Sequence, residues 1–422
     1  MKIKTTPLFL AAAFAAAPVH AAPTVEVLHW WTSGGEAAAV KVVKDAYEKA
    51  GGKWIDAVLP GGGGGEARRV LKERVAAGNP PDAALMQAGG DVWAFAGKGM
   101  TGDLDDVAKT GEWAKALPSA LIERLQIDGK FVAAPVDVNR LNAFFVNAAV
   151  LKKAGVSAPA GWPRDWDEFN AAADKIQKSG LIPLAHGGQP WQDKLLFAEV
   201  VLGTGGADFY RKAMIDHDAA ALTGPTMKKV FDQMRRLKGY TDKAGAGREW
   251  NQATAMVIRG EAGMQVMGDW ARGEFAAAGK KPGVDFLCLA SPGSAGAFLS
   301  STDVFVVFKS SDQDRIEGQK LLARVLMDAD VQKRFNLRKG STPARRDVPK
   351  SAFDACGRST MEDLARADAS GAVIAGAPRG AVDDGVSAAL GDVTVAHFNS
   401  DMTSEEAMRR VAEAVKAAPA RP

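Results

Sequence analysis

Trp30, Trp31 and Glu36 are the first residues whose types and spacing suggest chemistry. Two adjacent Trp side chains offer flat apolar faces with N–H donors at their edges. A carboxylate five residues past the second supplies acceptors. This combination suits a small polar ligand with alternating C–H and O–H faces, which describes a sugar. The alternative, which the pattern favours less, is a core pair of Trp residues and an ordinary acidic first helical turn. Polar groups at other strand ends extend the candidate set. Gln87 ends a predicted strand, Trp191 follows the loop Gly187–Gln189, and Trp270 follows a strand that breaks at Gly268.

Other chemistries find less support. A secreted glycoside hydrolase could pair Glu36 with Asp269 or Asp303, at a separation of about 5 Å or about 6.5–9.5 Å. However, the chain has no Gly-x-Ser-x-Gly nucleophile motif. The five His residues, at 20, 29, 186, 217 and 397, are scattered, and no Cys/His spacing suits a metal. Neither metal nor cofactor is expected. Binders of amino acids call for an Arg clamp and binders of polyamines for several acids. Clustered Trp with one or two acids favours a neutral sugar. The two cysteines, Cys288 and Cys356, form an even pair. In an exported chain such a pair favours a disulfide over two buried thiols.

The elements that must position these groups read as open α/β units. Val25–Leu28 is a buried strand, Thr32–Gly35 a turn, and from Ala37 apolar residues recur at helical spacing through Tyr47. In such sheets ligands bind beyond the carboxyl ends of the strands. Lys53–Leu59 predicts a second strand, followed by the glycine run Gly61–Gly65. A phosphate loop would have Lys-Ser or Lys-Thr after its last Gly, where Glu66 stands. The run therefore predicts a loop on a cleft rim. Val136–Val146 predicts a crossing from one lobe to another, and Phe286–Ser291 the return. Asn251 is the expected N-cap of a helix running to Ile258.

The length of 422 residues suits two lobes, and 47% hydrophobic with 24% charged residues is ordinary for a globular protein. Lys2 and Lys4, the apolar run Pro7–Pro18 and the small residues at Val19–Ala21 predict a signal peptide over residues 1–21. Cleavage near Ala21 would deliver the chain to the periplasm. Without those lysines 51 basic residues face 50 acidic ones, which gives no electrostatic case for a nucleic-acid or membrane-surface partner.

Trp30-Trp-Thr-Ser-Gly-Gly-Glu36 resembles the start of glucose/mannose-binding proteins of bacterial sugar ABC transporters, within the family 1 extracellular solute-binding proteins. Gly187–Gln192, Trp250–Met256, Gly263–Trp270, Ser301–Asp303 and Lys339–Ser341 follow in the family's order, so the likeness spans nearly the whole mature chain. The resemblance implies an α/β, type II-like, two-lobed periplasmic binding protein fold. One lobe would hold residues 24–136 and 293–345, the other 137–292 and 346–417. It implies a monomer that binds a glucose-like mono- or oligosaccharide between the lobes, without altering it, and delivers it to an inner-membrane ABC permease. Trp30 or Trp31 and Trp270 would stack on the pyranose. Glu36, Asp303 and Lys339 would hold its hydroxyls. Two departures stand out. Gln87 replaces a Lys or His of the glucose binders, and Val373–Pro378 lacks their late His. Both point to a sugar other than glucose.

Overall fold

The computed structural model describes residues 22–375 and 385–417. Residues 1–21, where a signal peptide is expected, and the part of Val373–Pro378 beyond residue 375 lie outside the described residues.

Three sheets organise the chain. The first has the order Lys53–Val58, Thr24–His29, Ala83–Gln87, Asp303–Val307, Ala133–Pro135. Its first three strands are parallel and joined by the helices Gly34–Lys49 and Gly65–Ala76. The last two run antiparallel to their neighbours. Val25, Val27 and Leu28 are buried in the first strand, and Ala39, Val43 and Tyr47 line the buried face of the helix that follows. These are the i and i+4 positions that an amphipathic helix turns inward.

The second sheet has the order Phe286–Ala290, Ala143–Asn147, Ala262–Val266, Ile182–Leu184. Phe144, Phe169, Phe197 and Phe231 build the larger core beside it, and Phe145, Phe275 and Phe286 a smaller one. A third sheet joins the two halves, with the order Thr342–Pro343, Asp137–Arg140, Phe298–Ser301, Val373–Ala375. Each half thus has its own sheet and core, and the third sheet is the hinge of a two-lobed α/β fold.

The structure corrects two local readings. Phe286–Ala290 is not the return crossing, because it pairs along its whole length with Ala143–Asn147 inside the second sheet. The return runs on Phe298–Ser301, which pairs with Asn139 and Arg140 of the outgoing strand. The helix Trp250–Arg259 is capped by Glu249 rather than Asn251. Glu249 forms a capping box with Gln252, which bonds the backbone N–H of Glu249 at 3.1 Å.

The lobes touch at the front of the molecule. The Gly35 N–H, in the first turn of its helix, donates to Glu274 of the helix Ala271–Ala277 at 2.7 Å. The Gly62 N–H donates to Glu249 at 3.3 Å. A disulfide joins Cys288 in the second sheet to Cys356 at the start of the helix Ala355–Ser370, with Cα atoms 6.0 Å apart.

Candidate functional site

The hinge sheet supplies the floor of the site. Side chains alternate along a strand, so Asp137 and Asn139 share one face while Val138 and Arg140 take the other. Ser301 stands opposite Asn139 in register and therefore on the same face. Lys339 ends the helix Ala329–Lys339 and reaches this floor. Its ammonium donates to Asp137 Oδ2 at 2.6 Å and also to Asp303 Oδ2. Asn139 Nδ2 donates to Asp137 and to Asp303, each at 3.1 Å.

All four groups are buried. Burial alone would push the lysine down, yet the two carboxylates outweigh it and raise its pKa. Burial raises Asp137 to about 7, against the opposing pull of Lys339. Glu36 is also raised to about 7 by burial, while Lys339 and the Ser33 hydroxyl, 3.0 Å away, favour its charged form. Burial likewise raises Asp269, beside the same cluster, to about 7.

Several polar atoms here make no hydrogen bond with the described residues. Asn139 Oδ1, Ser301 Oγ and both carboxylate oxygens of Asp269 are buried without a partner among them. A buried donor or acceptor left unpaired costs about 1–3 kcal/mol. On the floor, Asn139 and Ser301 thus offer unused bonding capacity to a polar ligand.

Aromatic rings form the walls. Trp191 and Trp270 are half-buried, with ring centroids 6.4 Å apart, and Trp250 meets Trp270 edge-on at 6.4 Å. Trp191 Nε1 donates to Gln189 Oε1 at 2.8 Å, and Gln189 Nε2 donates to Glu249 at 2.7 Å. The glycine run Gly61–Gly65 of the first lobe meets this wall. A Cβ on Gly63 would lie 2.8 Å from Trp191, and one on Gly64 2.6 Å from Trp30. Gly268, where the strand breaks, serves the wall through its missing side chain. Its φ is unremarkable, and its missing Cβ makes room for the Trp270 ring, which would lie 2.2 Å away.

The sequence-predicted residues form two groups, with Trp30, Trp31 and Gln87 placed separately on the first lobe. Glu36, Asp303 and Lys339 share one electrostatic cluster. Trp191 and Trp270 face one another on the second lobe. Trp31 is built into the first core against Phe305 and Phe335, with the Lys339 ammonium 4.5 Å from its ring centroid. Trp30 lies between the glycine run and the Arg68 guanidinium, 5.0 Å from its ring centroid. Gln87 is exposed and paired in register with Asp303.

Sequence reasoning missed Asp137 and Asn139 as site groups. The signal was present: Asp137 and Asn139 alternate with Val136 and Val138 at the start of the crossing stretch. Gln189 and Glu249 were also missed, and nothing local marks them, since only the fold brings them together.

The sequence model of the bacterial extracellular solute-binding proteins matches residues 43–355. The chain belongs to that family. This solute-binding protein is 45% identical over 418 residues to a probable sugar-binding periplasmic protein of Rhizobium meliloti, covering 99% of each chain. It is 46% identical over 395 residues to a protein of the same description from Brucella suis, covering 93% of this chain and 92% of the relative. Among solved structures, maltose-bound MalE3 of T. maritima superposes with a TM-score of 0.77 at 19% identity, over 93% of this chain and 99% of that one. A chitin oligosaccharide binding protein gives 0.76 at 18% identity, over 93% of this chain and 98% of that one. At these identities the likeness establishes the fold, a two-lobed periplasmic binding protein.

Proposed function

We propose that this solute-binding protein is the substrate-binding component of an ABC-type sugar importer. It holds a mono- or oligosaccharide in the interlobe cleft, unaltered, and hands it to an inner-membrane permease. The reading rests on a buried, charged cluster on the hinge sheet and an aromatic cluster on the second lobe, linked by Asp269, which neighbours Trp270 in the chain and feels the charges of Asp137 and Lys339. Asp137, Asn139, Asp303 and Lys339 offer directed hydrogen bonds, and Trp191 and Trp270 offer apolar faces. A pyranose presents both surfaces at once. The descriptions of the Rhizobium and Brucella relatives support the same ligand class.

In this reading Trp270, with Trp30 or Trp31, stacks on the ring, and Glu36, Asp303 and Lys339 hold hydroxyls through charge-assisted bonds. The lobes divide near residues 136, 292 and 345, with the mature chain starting near Ala22 and acting as a periplasmic monomer. Gln87, a neutral side chain beside Asp303, supports a sugar other than glucose. It replaces a charged or tightly directed donor with a flexible amide.

Calorimetry against glucose, mannose, galactose, xylose and maltose tests the proposal. Saturable binding of at least one sugar, with the sugar recovered intact, is the expected result. Glucose binding as tightly as every other sugar would remove the specificity claim. Release of a cleaved product from maltose would replace the binding function with hydrolysis.

A further inference from the structure

A second cavity lies against the hinge sheet, on the face opposite Asp137 and Asn139. It has a volume of 360 Å³, within the roughly 300–1,000 Å³ of small-molecule sites. Val138 lines it. Thr342 pairs with Val138 in register and so stands on the same face. Leu121 of the helix Ser119–Leu125 forms one wall, and Met361 and Leu364 of the helix Ala355–Ser370 form the other. Of the groups offered to the sugar, only Ser301 also borders this cavity.

Two observations define what it would hold. The lining is mainly apolar, but Arg124, Arg345, Arg346 and Lys350 also reach it, against the single carboxylate of Asp368. Asp368 pairs with Arg346 at 2.9 Å, and Arg345 pairs with Asp347 at 2.6 Å. Lys350 has no ion pair among the described residues. The rim thus keeps a net positive charge. Thr342, only 3% exposed, adds a hydroxyl oxygen that is buried and has no partner among the described residues. A buried oxygen of this kind is satisfied by a ligand donor or by a water held beneath a ligand.

We propose that this cavity is a second ligand site, for a free small anion with an apolar body, such as an aryl or medium-chain carboxylate or sulfonate. The apolar body lies between Leu121 and Leu364, and the anionic group meets the rim at Lys350 and Arg345. A sugar is a poor fit, because the walls offer apolar surface to its hydroxyls.

The test uses the mature full-length protein and 8-anilinonaphthalene-1-sulfonate as the fluorescent probe. Saturable binding of one equivalent is expected, with displacement by decanoate and none by sugars. Ala365→Trp fills the cavity and Lys350→Glu reverses part of the rim. Each should weaken the probe at least tenfold, with sugar binding and melting temperature kept. Unchanged probe binding in both folded variants would overturn the site, as would displacement by sugar. Equal affinity for an uncharged naphthyl probe would overturn the anion requirement. Co-sedimentation with phosphatidylglycerol vesicles, lost in Lys350→Glu, would replace the free anion with a lipid surface.

Discussion

Lys339 and Asp269 lie in one cluster and show opposite outcomes of burial. Lys339 touches two carboxylates, so its charge is retained. The carboxylate oxygens of Asp269 face no ion-pair partner among the described residues, and burial raises its pKa to about 7. Glu36 and Asp137 rise to about 7 as well. A carboxyl whose folded pKa exceeds its unfolded one binds more protons in the folded state between the two values. Stability therefore falls as pH climbs from about 4 to about 7. We expect the unliganded protein to melt at a higher temperature at pH 5 than at pH 8. Asp269→Asn should flatten that slope and stabilise the protein at pH 8 by about 1–3 kcal/mol. Melting curves at the two pH values check this, and an unchanged slope would remove Asp269 as its source. Lys339→Met should act the other way. It leaves Asp137 and Asp303 buried without their cation, at a cost of about 3–5 kcal/mol, read by urea denaturation at pH 8. Trp270→Ala, being half-buried at the wall, should keep the fold and lose detectable sugar binding by calorimetry. At this scale the sequence was partly legible. Glu36, Asp303 and Lys339 were named in advance and cluster together. Gln189 and Glu249 could not be, because their contact spans 60 residues of chain.

Elements were more legible than residues wherever their signal is local. The strand Thr24–His29 and helix Gly34–Lys49 follow from apolar periodicity alone. The return crossing did not, because Phe286–Ala290 and Phe298–Ser301 are both short apolar segments beside Gly or Pro. Only their partners distinguish them, and pairing is non-local. The glycine run is a similar case. Its composition marked a loop at a cleft rim, yet its packing partners come from both lobes. Gly64 has φ +71°, which disfavours any side chain, and sits against Trp30. We expect Gly64→Ala to destabilise the protein by more than about 1 kcal/mol and to weaken sugar binding by displacing Trp30. Gly268→Ala should leave stability nearly intact while turning Trp270 away, so that sugar affinity falls at least tenfold. If Gly268→Ala binds normally, Trp270 is not held by that close approach.

For the whole molecule, the two sheets with separate cores make the lobes rigid units, and the hinge strands are the connections able to bend. Contacts at Gly35–Glu274 and Gly62–Glu249 hold the front of the cleft together. Close packing of Gly35 against Gly273 and of Gly63 against Trp191 adds to them, and a ligand that touches both lobes should favour this closed arrangement further. We expect small-angle scattering to give a smaller radius of gyration with saturating sugar than without. An equal radius in both would mean the lobes do not move. Length and composition made two lobes legible from sequence. The way the hinge sheet borrows strands from four distant stretches was not, since each of its strands is only two to four residues long.

The disulfide has a consequence for the continuity of the chain. Cys288 and Cys356 are 68 residues apart, and the stretch between them carries the return strand, the central strand Asp303–Val307 and the helix that ends at Lys339. The polypeptide is therefore a closed covalent ring with two tails, and the ring passes through both lobes. One protease cut between residues 289 and 355 opens the ring without dividing the molecule. A nicked sample should run as a single species on a non-reducing gel and as two fragments once reduced. A cut outside the ring releases a piece under either condition. Wear in this part of the protein would thus leave its two fragments tethered by the Cys288–Cys356 bond.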